Sequence, residues 1–299
     1  MATLREIRQR ISGIKNIQKI TKAMKMVASA KLRRAQEAIL STRPYALKMS
    51  SLMSSLVSKV DPSMHPLFAP RPVHTVALVV VTSDRGLCGA FNTNLLRAAV
   101  LEYQKLSKEL ETSGGSVQLI TVGKKGTDFF VKRDYPVAAK YPGIFSDLHW
   151  GVARTIMDTL TASYLKGGVD RVVVLYNEFK SVIQQRIVSE QLLPVPPEQI
   201  EGAEPSSVQA QVDYIYEPSG EAIINALVPR HLSYQMWRVL LESNAAEQGA
   251  RRTAMDNATS NASELIGDLT LSYNKARQAS ITKELLEIVS GAEALKQSD

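Results

Sequence analysis

The placement of proline constrains this chain more than any other feature. None precedes Pro44, none follows Pro229, and all the others lie between. A proline inside a helix costs about 3 kcal/mol, so the two proline-free ends permit long helices. At the N-terminal end Leu4, Ile7, Ile11 and Ile14 recur at helical spacing from about Thr3 onward. Ile17, Ile20, Met24 and Val27 continue the stripe with an extra three-residue step, which predicts a locally overwound coiled coil. Basic residues, Arg8, Lys22 and Lys25 among them, fill much of the remaining face. After Pro44 the pattern resumes through Leu52, Leu56 and Val60 and ends at Asp61-Pro62.

From Arg230 to Asp299 the only helix-weakening residues are Gly249, Gly267 and Gly291. At 1.5 Å per residue such a helix extends on the order of 100 Å and must pack on another long element. The N-terminal helix is the candidate, and an antiparallel pair is the simplest arrangement. Ile281, Leu285, Ile288, Ala292 and Leu295 read as a coiled-coil seam, and Ala245, Ala246, Ala250, Ala254 and Ala258 allow a neighbouring backbone to come close.

The middle alternates strand-like and helix-like stretches. Val76–Val81, Val117–Val122 and Arg171–Tyr176 are β-branched runs, with a weaker one at Ile183–Leu193. Asn94–Leu110, Lys124–Lys132 and Asp147–Leu165 read as helices between them. The fold class is therefore α/β, with a long antiparallel coiled coil of the terminal helices flanking a small parallel-sheet α/β domain. The expected organisation is an N-terminal helix over 1–60, a central α/β domain over 72–193, a proline-rich surface loop and foot over 194–217, and a C-terminal helix over 218–299.

With 299 residues, 44% hydrophobic and 22% charged, the composition is that of an ordinary globular chain. No apolar stretch has the length of a membrane span, and no secretory signal is read at the N-terminus. One cysteine, Cys88, excludes an internal disulfide, and four histidines without ligand-like spacing argue against a metal site. A net charge of +7 calls for acidic partners. Nucleic acid fits poorly, because no aromatic residue precedes Tyr45 to interleave the basic stripe.

Motif by motif, the search for chemistry fails. Ser83-Asp84-Arg85-Gly86-Leu87-Cys88-Gly89 follows the first strand, where α/β folds place phosphate-binding glycines, but lacks G-x-G-x-x-G spacing. A tight turn with an aspartate cap is the better reading. Gly123-Lys124-Lys125-Gly126-Thr127 has its lysine on the wrong side of the second glycine for a P-loop. No histidine stands near Cys88 in sequence to activate it. Glu284 and Glu287, beside Lys283, read as charge patterning. An enzyme acting on nucleotides through the central domain would need the glycine motifs to be complete.

Three segments carry a resemblance. Ile281-Thr282-Lys283-Glu284-Leu285-Leu286-Glu287-Ile288-Val289-Ser290-Gly291-Ala292, preceded by Tyr273-Asn274-Lys275-Ala276-Arg277-Gln278-Ala279-Ser280, resembles the C-terminal signature of the γ subunits of F-type rotary ATP synthases. Ile17 to Ala28 and the segment from Ser83 to Asn92 are similar to two further stretches of that family, in the same order. The resemblance covers essentially the whole chain. It implies a non-catalytic rotor shaft without cofactor or metal, turning inside a ring of α and β subunits. It implies the ε subunit and the membrane c ring as further partners, and indirect attachment to the cytoplasmic face of a bacterial inner membrane. Arg277 and Gln278 match positions that meet a loop of the catalytic β subunit. Arg8, Lys22 and Lys25 are placed to face an acidic segment of β. Met24 lies on the predicted seam beside that region, so Met24→Lys is expected to disturb coupling more than folding. Thr282, Glu284 and Glu287 correspond to the upper coil, and Tyr214, Tyr216 and Glu217 to the foot on the c ring. The cysteine-bearing insertion of chloroplast forms is absent, so no regulatory disulfide is expected.

Overall fold

The computed structural model describes residues 3–57, 65–182, 184–196, 217 and 219–296. They fall into two compact units, Met1–Val27 with Arg252–Asp299, and Ala28–Arg251. Helix α1 spans Leu4–Val57, and the last helix, α5, spans Gly220–Lys296. Between them lie β1 (Thr75–Val81), α2 (Phe91–Glu111), β2 (Ser116–Val122), α3 (Lys124–Val131), β3 (Val137–Tyr141), α4 (Trp150–Leu165), β4 (Arg171–Phe179) and β5 (Gln185–Leu193).

Both long helices begin at side-chain caps. The Thr3 hydroxyl accepts from the Glu6 N–H while the Glu6 carboxylate accepts from the Thr3 N–H, a reciprocal capping box. Ser219 accepts from the Ala222 N–H at the start of α5. Neither helix breaks at its proline. Pro44 and Pro229 both lie on exposed faces, as do Leu40 and Asn225 one turn earlier, so the carbonyls freed by the missing N–H groups are open to water.

In the first unit the two helices pack antiparallel. Gln18 donates to Ser263 at 2.6 Å, Thr21 pairs with Thr259 at 2.8 Å, and Lys25 bridges to Asp256. On α1 a covered stripe runs through Leu4, Ile7, Ile11, Ile14, Gln18, Thr21 and Lys25, with Met24 half-buried beside it. Opposite them on α5 are Met255, Thr259, Ala262, Ile266, Leu269, Tyr273, Ala276 and Ser280. Both series alternate steps of three and four without interruption, so the predicted overwinding is corrected. Ile17 is 54% exposed, Ile20 59% and Val27 56%. Polar residues that satisfy one another across the pair hold the interior at 18 and 21, and the isoleucines turn outward. The predicted C-terminal seam is corrected too: Ile281, Leu285 and Ile288 are all exposed. At the observed register Leu4 lies opposite the neighbourhood of Arg277, so α1 has no residues left to cover them. The side chains of Ala292 and Leu295 lie outside the described residues.

In the second unit a five-stranded sheet runs in the order β3-β2-β1-β4-β5. The first four strands are parallel; β5 is antiparallel to β4, so the predicted parallel sheet acquires one antiparallel edge. Strand β3 was not predicted. It is a five-residue edge strand with an alternating exposure pattern and no long apolar run. Strand β1 is buried on both faces, as a central parallel strand must be. Ala77, Val79 and Val81 join a core with α4, the first third of α5, and Met49 and Met53 of α1. Val76, Leu78 and Val80 join the core on the opposite face with α2 and α3. The β1 entry is held by Asp170, whose carboxylate accepts from the His74 and Thr75 N–H groups at 2.9 Å each and pairs with Arg71 at 2.9 Å.

Gly123, between β2 and α3, has φ 92°, and a Cβ there would lie 2.2 Å from the Thr82 carbonyl oxygen. Gly123→Ala is therefore expected to lower unfolding free energy by about 3 kcal/mol or more, read from a urea unfolding curve. Burial works against the Asp170 carboxylate, but the Thr75 and His74 amides and Arg71 outweigh it and hold its pKa below the usual carboxylate range. A depressed folded pKa gives stability present above the unfolded value of about 3.9 and lost as pH falls through the folded one. Asp170→Asn is expected to cost about 1–3 kcal/mol at neutral pH, with the gap to wild type narrowing below about pH 4.

Candidate functional site

At the carboxyl ends of the parallel strands, where α/β folds hold ligands, this chain places one of its own carboxylates. The Asp84 oxygens accept from the backbone N–H of Lys124 at 2.8 Å, Gly143 at 2.7 Å and Phe145 at 3.0 Å. Lys124 opens α3, so the position a phosphate would take at that helix N-terminus is filled by Asp84. Ser83 and Asn92 bond each other beside Cys88, which is 1% exposed. Burial raises the Cys88 thiol, which suits packing and opposes nucleophilic use. Among the described residues no group of histidine, cysteine, aspartate and glutamate could hold a metal ion. A cavity of about 690 Å³ lies among Tyr45, Trp150, Tyr234 and Trp237, with Arg154 and Arg230 on its lining. Its acid, Asp158, is paired with Arg154 at 3.5 Å, and among the described residues its lining offers no nucleophile with a base beside it.

The residues singled out from the sequence lie on helix surfaces. In the first unit Arg8 and Lys22 are exposed, while Met24 and Lys25 are half-buried. Lys25 points across to Asp256 on α5. Arg277 and Gln278 are exposed, as are Thr282, Glu284 and Glu287. The Thr282 hydroxyl donates to the Gln278 carbonyl at 3.0 Å, Ser280 donates to Glu284 at 3.3 Å, and Lys283 stands 3.6 Å from Glu287. These bonds stay within one helix. Around them Ile281, Leu285, Leu286, Ile288 and Val289 are each at least half exposed, so one face of the end of α5 is an uncovered apolar stripe, with Lys283, Glu284 and Glu287 on the opposite face. Glu217 is exposed, and Tyr214 and Tyr216 lie outside the described residues.

Two charge clusters on α5, one half-buried and one buried, escaped the sequence reading. Arg238 pairs with Glu190 of β5 and donates to the Tyr176 hydroxyl of β4 at 3.0 Å. Arg251 pairs with Glu247 at 2.6 Å, their side chains 11% and 5% exposed, and donates to the Arg85 and Gly86 carbonyls at 3.3 and 3.1 Å. Burial raises the Glu247 carboxyl, and Arg251 opposes that rise. The available signal was an i,i+4 acid–base pair inside an alanine-rich stretch, where a solvated pair has no reason to sit.

A family model described as ATP synthase matches residues 3–295. The ATP synthase gamma chain of Chloroherpeton thalassium is 53% identical over 308 residues, covering 100% of both chains. That of Chlorobaculum tepidum is 54% identical over 298 residues, covering 99% of this chain and 100% of the relative. Among solved structures, the central stalk and c ring of the Tetrahymena thermophila mitochondrial ATP synthase contains a chain 26% identical, with TM-score 0.57 over 80% of this chain and 99% of that one. A chain of the Euglena gracilis mitochondrial ATP synthase is 21% identical with TM-score 0.67, over 98% of this chain and 94% of that one, a likeness of fold. With a family model matched over nearly all of its length and relatives more than half identical over their full length, the chain belongs to the ATP synthase gamma chain family.

Proposed function

We propose that this chain is the central-stalk subunit of a rotary ATP synthase. It couples ion-driven rotation of the membrane c ring to conformational change at catalytic sites on the β subunits, and it has no active site itself. The observation that carries this reading is the end of α5, where a continuous helix leaves its intramolecular partner behind and exposes five large apolar residues from Ile281 to Val289. Exposed apolar surface of that extent marks an interaction site. A shaft tip enclosed by the α and β subunits accounts for it. The central-stalk assembly to which the Tetrahymena chain belongs supports the same reading.

A rotor must meet its surroundings without being trapped at one angle. Solvent-exposed ion pairs contribute about 0–1 kcal/mol each, shallow enough for successive contacts to form and release. Arg8, Lys22 and Arg277, all exposed, provide such contacts toward β, and the exposed Gln278 amide offers a neutral hydrogen bond beside them. Met24 and Lys25 lie next to Lys22 on α1, with Thr282, Glu284 and Glu287 beyond Arg277 on α5. Tyr214, Tyr216 and Glu217 form the foot on the c ring, and the ε subunit completes the rotor. Among the described residues no helix is long and apolar enough to cross a membrane. Attachment is through the c ring, on the cytoplasmic face of the bacterial inner membrane.

Affinity purification of the tagged chain from mildly solubilised membranes is expected to recover one copy with three each of two large homologous subunits, active in ATP hydrolysis. Recovery of the chain alone, binding nucleotide by itself, would sink the shaft reading. Arg277→Ala combined with Gln278→Ala is expected to leave unfolding free energy within about 0.5 kcal/mol of wild type, because both side chains are exposed. The same pair is expected to slow ATP hydrolysis by the assembled complex, measured at equal complex content.

A further inference from the structure

In the second unit α5 meets the sheet through contacts that change character along its length. Ile224, Val228, Leu232, Met236, Val239 and Leu240 pack into the apolar core. Farther on the side chains shrink: Ala245 and Ala246 are fully buried, and a Cβ on Gly249 would stand only 3.4 Å from Phe179. Apolar packing is non-directional, and a smooth surface of alanine and glycine offers little to stop a helix turning about its axis.

Two guanidinium groups bracket that smooth stretch, Arg238 before it and Arg251 just after it. Arg238 binds the Glu190 carboxylate, donates to Tyr176 Oη, and lies 3.5 Å from Glu242, while Tyr176 itself donates to Glu190 at 2.9 Å. The result is a closed ring joining α5 to β4 and β5. Arg251, about 20 Å farther along the helix at 1.5 Å per residue, is braced by Glu247 and Gln248 and holds the carbonyls of Arg85 and Gly86 in the loop after β1. That loop is itself fixed by Asp84 and by the Ser83–Asn92 pair. Charge-assisted bonds from a planar fork are directional in a way that apolar contacts are not. Ion pairs, half-buried as at Arg238 or buried as at Arg251, add little net stability over apolar residues of similar volume, so stability alone does not explain their presence here.

We propose that Arg238 with Glu190 and Tyr176, and Arg251 with Glu247 and the loop carbonyls, are torque latches: positioning residues that stop α5 from turning against the α/β domain. Rotation delivered to the domain then reaches the helix without slip. This rests on the rotor-shaft reading and names the residues that make the shaft and its domain turn as one body.

The test is ion uptake per ATP hydrolysed in membrane vesicles carrying the assembled complex, with protons followed by a pH-sensitive dye and sodium by tracer. Arg238→Met with Arg251→Met is expected to lower that ratio at least about twofold while hydrolysis continues, because the directional bonds are lost and the apolar packing remains. Each single substitution is expected to lower it less. A purely structural role would reduce the number of assembled complexes, so that hydrolysis and uptake fall together. An unchanged ratio therefore overturns the proposal. If the double variant does not assemble, Arg238→Lys with Arg251→Lys keeps both charges without the planar fork, and an unchanged ratio there overturns it equally. If vesicles lacking the chain still couple uptake to hydrolysis, the rotor-shaft reading fails instead of the latch.

Discussion

A helix as long as α5 cannot hide its apolar stripe by itself, and each unit solves that problem with a different partner. In the first unit α5 lies against α1 through a seam that alternates three and four residues. In the second its apolar residues sink into the core beneath a five-stranded sheet. Helical stability in proteins comes mainly from such packing and only weakly from propensity, so both partners are conditions for α5 to exist as one helix. Where the partner ends, the helix does not. Past Ser280 every described side chain is exposed, and the stripe is left for another molecule.

The sheet has a second task, which is to close its own ligand crevice. Backbone N–H groups at the start of α3 and in the loops after β3 converge on one point, as they do around phosphates in nucleotide-binding α/β folds. Here the Asp84 carboxylate occupies that point, and Arg251 closes over the carbonyls next to it. The glycine-containing loop that looked like a failed nucleotide motif is a tie within the fold, made by the same physics that would otherwise bind an anion.

Much of this was legible in the sequence because its signals are local. Runs such as Val76–Val81 and Arg171–Tyr176 declare buried parallel strands through composition alone, and proline-free ends declare long helices. Strand β3 was not legible, because Val137–Tyr141 owes its extended form to pairing with β2 and shows no apolar run of its own. The latches at Arg238 and Arg251 were not legible either. Their partners Glu190, Tyr176 and the Arg85 carbonyl are far away in sequence, and a charged side chain gives no local sign that it will be buried.

The sequence by itself determined the family, the two long helices, the antiparallel pairing and the exposed chemistry of Arg277, Gln278 and the C-terminal run. Those features depend on residue types at fixed spacing along one strand or helix. Only the tertiary structure decided the register. Apolar periodicity made Ile17 and Ile20 look interior, whereas the bonds from Gln18 to Ser263 and from Thr21 to Thr259 put polar residues inside and turned the isoleucines out. A polar side chain is welcome in an interior when its partner is waiting across the interface, and that partner belongs to a helix more than two hundred residues away.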